Sequence, residues 1–158
     1  ISYPDGGFYN GEWTKGIIEG SGEAHYANGL IYKGEFQNAK NHGEGIMTYT
    51  DGYSYSGTWK DGNPEGVGTS TYPDGTTYKG NFKNGERHGR GEIKMPDGFN
   101  YSGYWVSGEI EGEGIAIYPN GDEYEGLFKK GRRDGLGRMK YSDGEEYNGN
   151  WTKGEKSP

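Results

Sequence analysis

Residues 9–31 read YNGEWTKGIIEGSGEAHYANGLI, a 23-residue pattern of glycine and aromatic residues that decides the fold of this chain. The full pattern restarts, without insertion or deletion, at Tyr32, Tyr55, Tyr78, Tyr101 and Tyr124. Of the 33 glycines in the 158 residues, all but Gly7 fall on positions of this template. A fixed period of roughly 20 to 50 residues is typical of a repeat array.

The repeats predict the domain organisation. In such an array each repeat contacts mainly its neighbours. We expect a partial repeat at 1–8, six full repeats at 9–31, 32–54, 55–77, 78–100, 101–123 and 124–146, and a partial repeat with a tail at 147–158. Because the chain begins and ends inside a repeat, we interpret it as a fragment of a longer protein.

The composition alone resembles that of a disordered chain, with 28% hydrophobic residues and a net charge of −7. The regular aromatic spacing favours a folded chain instead, because each ring can bury a large apolar area. The absence of cysteine excludes a disulfide framework and a thiolate metal site. No apolar run approaches the roughly 20 residues that cross a bilayer. We therefore expect a cytoplasmic protein, peripheral to a membrane or to the cytoskeleton.

Alternation within each repeat predicts strands. Tyr9, Gly11 and Trp13 recur at every second position, which places them on one face of a strand. A second alternating run follows at Gly20, Gly22 and Tyr26, after a connection expected to include Ile17–Glu19. Turn sequences of the Pro-Asp-Gly type separate the repeats. The prediction is an all-β fold, an elongated single-layer antiparallel sheet of tandem 23-residue β-hairpin repeats.

The strand glycines require a reason, because glycine weakens a strand unless something approaches it closely. We expect Gly11, Gly20, Gly22 and their equivalents to leave room for tyrosine and tryptophan rings that lie across the backbone. The residues after the connecting glycine also alternate between repeats, for example Glu65 in one and His88 in the next.

The template Tyr-x-Gly-x-Trp-x-x-Gly-x-x-x-Gly-x-Gly-x-x-x-Tyr-x-x-Gly resembles that of the MORN (membrane occupation and recognition nexus) repeat family over almost the whole chain. The resemblance implies an extended, twisted antiparallel sheet with a grooved aromatic face. It also implies scaffolding, protein docking or membrane association, and it names no partner.

The aromatic face is the first candidate binding surface. Rows of aromatic side chains match the anchors of protein interfaces, and a helix or an extended segment of a protein partner could lie along them. The alternative is that the rings only pack on one another. The candidate anchors are Tyr9, Trp13, Tyr32, Phe36, Tyr55, Trp59, Tyr78, Phe82, Tyr101, Trp105, Tyr124 and Phe128.

A basic cluster in the sixth repeat is the second candidate, for an anionic phospholipid headgroup, since Arg and Lys bind phosphate. The alternative is a solvated loop. Its residues are Lys129, Lys130, Arg132, Arg133, Arg138 and Lys140. The acidic balance of the whole chain argues against nucleic acid. Oppositely charged segments alternate along one edge, which makes a homodimer a further expectation.

Catalysis in the repeats is not expected. His25, His42 and His88 fall in different repeats without ligand spacing, so we expect no metal and no cofactor. No Ser, His and Asp grouping suggests a nucleophile. The sequence therefore favours a non-enzymatic docking scaffold with an aromatic groove, in a membrane- or cytoskeleton-associated assembly. The alternatives are a phosphoinositide-binding module and the regulatory array of a larger enzyme.

Overall fold

A computed structural model describes residues 1–157, and all regular elements in that part of the chain are β-strands. Each repeat contributes a strand of seven residues followed by one of nine. The strands are β1 (Phe8–Thr14), β2 (Ile17–His25), β3 (Ile31–Gln37), β4 (Lys40–Thr48), β5 (Ser54–Lys60), β6 (Asn63–Thr71), β7 (Thr77–Lys83), β8 (Glu86–Lys94), β9 (Asn100–Val106), β10 (Glu109–Ile117), β11 (Glu123–Lys129), β12 (Arg132–Lys140), β13 (Glu146–Thr152) and β14 (Glu155–Ser157).

The chain divides into two compact units, residues 1–73 with 82–85 and residues 74–81 with the chain from 86 onward. In the first unit β1 to β6 pair antiparallel in sequence order, and in the second β8 to β14 do the same. The predicted all-β fold of hairpin repeats is therefore confirmed.

The connection within each hairpin is shorter than the sequence suggested. Lys15 and Gly16 form a two-residue turn, both with positive φ (50° and 81°), which matches the twist of the flanking strands. Residues 17–19 belong to β2, so their assignment to a loop is wrong. Ile18 already pairs with Trp13 in the ladder.

The connection between repeats follows the predicted Pro-Asp-Gly chemistry. In the turn after β8, the N–H of Gly98 donates to the carbonyl of Met95 at 3.1 Å, and Gly98 has a φ of 99°. The Asp97 carboxylate accepts a hydrogen bond from the N–H of Phe99 at 2.9 Å. An acidic side chain that bonds its own backbone two residues later stabilises such a turn.

The hydrophobic core of each unit lies on one face of its sheet, here called the core face. Tyr101 is fully buried, and its ring packs edge-to-face on Trp105 and Phe128, with ring centres 5.4 and 5.2 Å apart. Edge-to-face contacts of this kind are the preferred geometry of aromatic pairs. Burial raises the pKa of Tyr101 to about 12, because the phenolate would lose its hydration.

Strand glycines leave room for these rings, as predicted for two of the three glycine positions. A Cβ at Gly114 would lie 2.4 Å from the Tyr101 ring. A Cβ at Gly103 would lie 2.6 Å from the hydroxyl oxygen of the same tyrosine. The third position is different: Gly20 has a φ of 74° and adjoins the Glu12 side chain. The expectation of a ring over Gly20 is therefore wrong. Its glycine is required by a left-handed backbone at a break in the strand ladder.

The alternation of Glu and His after the connecting glycine also has a structural cause. The Glu65 carboxylate accepts a hydrogen bond from the backbone N–H of Asn84, in the turn of the next hairpin, at 2.8 Å. In the second unit, His88 Nδ1 accepts one from the N–H of Ser107 at 3.2 Å. Either side chain can thus accept the bond that joins one hairpin to the next turn.

Candidate functional site

Eleven of the twelve predicted aromatic anchors lie in the core, none more than 5% exposed. Trp13 is the exception at 40%, because its ring packs on one tyrosine, Tyr9, whereas Trp105 packs on two. The buried residues are Tyr9, Tyr32, Phe36, Tyr55, Trp59, Tyr78, Phe82, Tyr101, Trp105, Tyr124 and Phe128. These rings present almost no surface to a partner, which corrects the expectation that they are its principal anchors.

The predicted basic cluster is divided. Lys129, Lys130 and Arg132 are exposed at the hairpin turn that joins β11 to β12. Lys140 pairs with Glu123 at the opposite end of this hairpin. Glu123 lies six residues along β11 from Lys129, which pairs with Arg132 beside the turn, so the two ends are roughly 20 Å apart. Arg138 lies next to that far end.

Two of these basic side chains are also engaged within the second unit. The Arg133 guanidinium lies over the Trp151 ring, 4.6 Å from its centre, and its Nη2 donates to the carbonyl of Gly154 at 2.7 Å. Arg138 forms an ion pair with Glu146 at 2.8 Å. The structure therefore does not bring the six basic residues together into one anion site.

The outer face of the second unit, opposite the core face, carries an apolar surface that the sequence analysis did not identify. Side chains alternate along each strand, so residues between the core positions project outward. Four of them come from four successive strands, β9 to β12, and are between 37% and 64% exposed. We call this surface the outer strip; it consists of Tyr104, Ile115, Leu127 and Leu136.

The fold does not require apolar residues at these positions. The template positions of Leu127 and Ile115 carry Thr58 and Thr69 in the third repeat, where the same strands form. Leu136 corresponds to Arg90 in the fourth repeat. A contiguous group of exposed apolar side chains without a role in the core is typical of an interaction surface. Comparison of equivalent positions across the repeats could have revealed the strip.

The outer strip lines a shallow depression of about 480 Å³. Its polar border consists of Arg90, Glu113 and Glu125. Cross-strand pairing places Glu113 directly opposite Leu127, and Ile115 opposite Glu125. Carboxylates therefore lie between the apolar side chains as well as beside them.

The charges around the strip are not balanced. The Arg90 guanidinium lies over the Tyr104 ring at 4.7 Å, and Arg138 is paired with Glu146. Glu113 and Glu125 have no ion-pair partner in residues 1–157. The strip thus combines an apolar floor with a small excess of negative charge, since Arg90 keeps its charge over the Tyr104 ring and Arg138, opposite Glu125 in the β11–β12 ladder, offsets part of that carboxylate's charge. Nowhere in the described chain do three or more His, Cys, Asp or Glu side chains gather as metal ligands would.

Within residues 1–157 there is no helix with the length and hydropathy needed to cross a membrane.

The fold is similar to solved structures. One is the SAS-4 (dCPAP) TCP domain in complex with a proline-rich motif of Ana2 (dSTIL) of Drosophila melanogaster, at 16% identity and a TM-score of 0.53, over 94% of this chain and 74% of that one. Another is the microcephaly protein CPAP G-box domain, at 16% identity, TM-score 0.40, and 96% and 97% coverage. A mutant TCP10 domain of Danio rerio CPAP has 18% identity, TM-score 0.39, and 95% and 81% coverage.

No curated protein sequence matches the chain. The MORN repeat model, in contrast, matches residues 9–31, 32–52, 55–77, 78–99, 101–123 and 124–146, which is well over half of the sequence. These boundaries agree with the 23-residue hairpins of the structure. The chain therefore belongs to the MORN repeat family.

Proposed function

We propose that this chain is a non-enzymatic scaffold that docks another protein on the outer face of its sheet. The observation that carries the proposal is the outer strip, four exposed apolar side chains on successive strands of the second unit. Contiguous exposed apolar surface with a polar rim is typical of protein interaction sites. The buried aromatic rings contribute rigidity, because they lock each hairpin to the next within a unit.

The proposal contains no catalytic step. The strip offers aliphatic and aromatic side chains and exposed carboxylates, and it pairs no nucleophile with a general base. The SAS-4 domain has a similar fold and is in complex with a peptide motif. It therefore supports docking only as an example of a similar fold that binds another chain.

Affinity capture from source cells tests the docking function. The strip variant combines Tyr104→Thr, Ile115→Thr and Leu127→Thr. Threonine occupies the corresponding template positions at Thr58 and Thr69, so the fold accommodates it. The control is Val67→Thr, which changes an exposed apolar residue outside the strip.

We expect a reproducible set of proteins to be retained by the native chain and by Val67→Thr, and to be lost with the strip variant. Thermal unfolding and circular dichroism check that both variants are folded. Equal retention by the strip variant would remove the outer strip from the proposal, and retention of no protein by the native chain would contradict a docking function.

A further inference from the structure

We infer that the outer strip binds a basic segment of a partner protein in the extended polyproline II conformation, with apolar side chains toward the strip and Lys or Arg between them. This inference rests on the proposed docking function and specifies the chemistry of the partner. It follows from the spacing of the strip, its paired strands and its unbalanced charge.

The spacing of the strip matches a polyproline II segment. Tyr104 lies on β9 and Leu127 on β11, two strands apart, which corresponds to about 9.6 Å across an antiparallel sheet. A polyproline II helix advances about 9.3 Å in one turn of three residues. Every third residue of such a segment would therefore meet the equivalent position of successive hairpins. An α-helix returns to the same face every three or four residues and advances about 10.8 Å in two turns, which matches the two-strand spacing less closely.

The strip is also too narrow for an amphipathic helix. A helix buries an apolar stripe at least about 100° wide, which requires a broad groove. The strip has one apolar side chain per strand along its length, and its depression is shallow. A thin extended segment fits this surface better.

Backbone pairing excludes the addition of a strand at this place. Strands β9, β10, β11 and β12 are each hydrogen-bonded to a neighbour on both sides. A strand-like ligand obtains its affinity from unpaired backbone groups, which this part of the sheet does not offer. A polyproline II segment needs none, because its backbone forms no regular hydrogen bonds and is solvated.

The charges of the strip select a basic ligand. The cations beside it are already engaged, Arg90 on Tyr104 and Arg138 with Glu146, whereas Glu113 and Glu125 are free of ion pairs within residues 1–157. An acidic segment would be repelled by these two carboxylates, and Arg138, which lies opposite Glu125 in the ladder, offsets only part of that repulsion. Lys or Arg at the two outward positions of each triplet could reach them, and complementary charge also accelerates association.

Fluorescence anisotropy with designed peptides tests the inference. The probe is a labelled peptide of four Leu-Pro-Lys triplets. Four Leu-Pro-Glu triplets control for charge, and a basic amphipathic helical peptide of equal charge controls for conformation. The proteins are the native chain, the strip variant, Val67→Thr, and a charge variant with Glu113→Gln and Glu125→Gln.

We expect the Leu-Pro-Lys peptide to bind the native chain and Val67→Thr within twofold of each other, and the strip variant at least tenfold more weakly. The Leu-Pro-Glu peptide should bind at least tenfold more weakly than the Leu-Pro-Lys peptide. In the charge variant the affinity for the basic peptide should fall severalfold and depend less on salt, since two charge contacts are removed.

Four outcomes would overturn the inference: no binding of the basic triplet peptide, tighter binding of the helical peptide, equal binding of the acidic peptide, or binding unaffected by the strip variant. Concentration-dependent dimerisation that the strip variant abolishes, measured by analytical ultracentrifugation, would assign the strip to a second copy instead. None of these outcomes decides whether the chain docks a protein, which the capture experiment tests separately. A failure of the polyproline II inference can therefore be distinguished from a failure of the docking function.

Discussion

The hydroxyl of Tyr124 donates a hydrogen bond to the backbone carbonyl of Leu127, with the two oxygens 2.8 Å apart. The Tyr124 ring lies in the buried core, whereas the Leu127 side chain lies in the outer strip. The pairing of β11 with β12 shifts between Gly126 and Phe128, so the bond holds the backbone where the ladder is interrupted. One core hydroxyl therefore positions a residue of the proposed docking surface.

Replacement of this tyrosine tests the role of the hydroxyl. We expect Tyr124→Phe to lower the free energy of unfolding by about 1–2 kcal/mol, because it leaves a part-buried carbonyl without its donor. Urea denaturation at neutral pH measures the change. The control is Tyr26→Phe, since the Tyr26 hydroxyl has no hydrogen bond to any of residues 1–157. A loss of equal size in both variants would contradict the specific role of this bond.

The His88 side chain allows a matched pair of substitutions. We expect His88→Ala to lower the free energy of unfolding by about 1 kcal/mol, because the N–H of Ser107 loses its acceptor. His88→Glu should retain the native stability, since Glu65 makes the same bond in the first unit at 2.8 Å. Thermal or urea unfolding compares the three proteins. If Glu destabilises as much as Ala, the bond to the next turn is not what this position contributes.

Alkaline pH should weaken the fold. Burial raises the pKa of Tyr55, Tyr101 and Tyr124 to about 12, whereas the unfolded chain titrates near 10. Between these values the unfolded state binds fewer protons than the folded state, so stability falls as pH rises. Below about pH 10 this contribution is fully present.

Urea denaturation across this alkaline range measures the effect, and tyrosinate absorbance follows ionisation. We expect the buried tyrosines to ionise together with unfolding. The variant Tyr124→Phe should show a shallower fall, because one of the groups that resist ionisation is absent. Constant stability between about pH 10 and 12, or complete tyrosinate formation in the folded protein near pH 10, would contradict the prediction.

Much of the fold could be predicted because six full repeats carry the same pattern. The period, the alternation of Tyr9, Gly11 and Trp13, and the Asp-Gly turns each correspond to local backbone geometry. The connection within the hairpin is misplaced in the prediction because a two-residue turn leaves little composition signal, and the residues that follow it are polar enough for a loop in other repeats, as at 40–42 and 63–65.

The candidate surface was harder to predict because alternation does not say which face is covered. Tyr101 and Trp105 are apolar and regular, which describes a core as well as a binding groove, and edge-to-face packing buries them within a single layer. Tyr104 and Leu127 occupy a position that the template leaves open and that carries Thr58 in the third repeat, and such positions carry the surface information. The sequence also does not show whether an arginine side chain is available to a ligand. Arg133 lies over the Trp151 ring, a contact that the spacing alone does not predict.

Anionic vesicles provide the last prediction. Each basic residue near an anionic membrane contributes about 1 kcal/mol, and the hairpin turn offers three, Lys129, Lys130 and Arg132. We expect co-sedimentation with phosphoinositide vesicles at low ionic strength and its loss at physiological salt, because exposed charges are screened. Glutamate at all three positions should abolish the low-salt binding. Binding that persists at physiological salt would contradict this prediction, and it would restore the sixth repeat as a lipid site beside the outer strip.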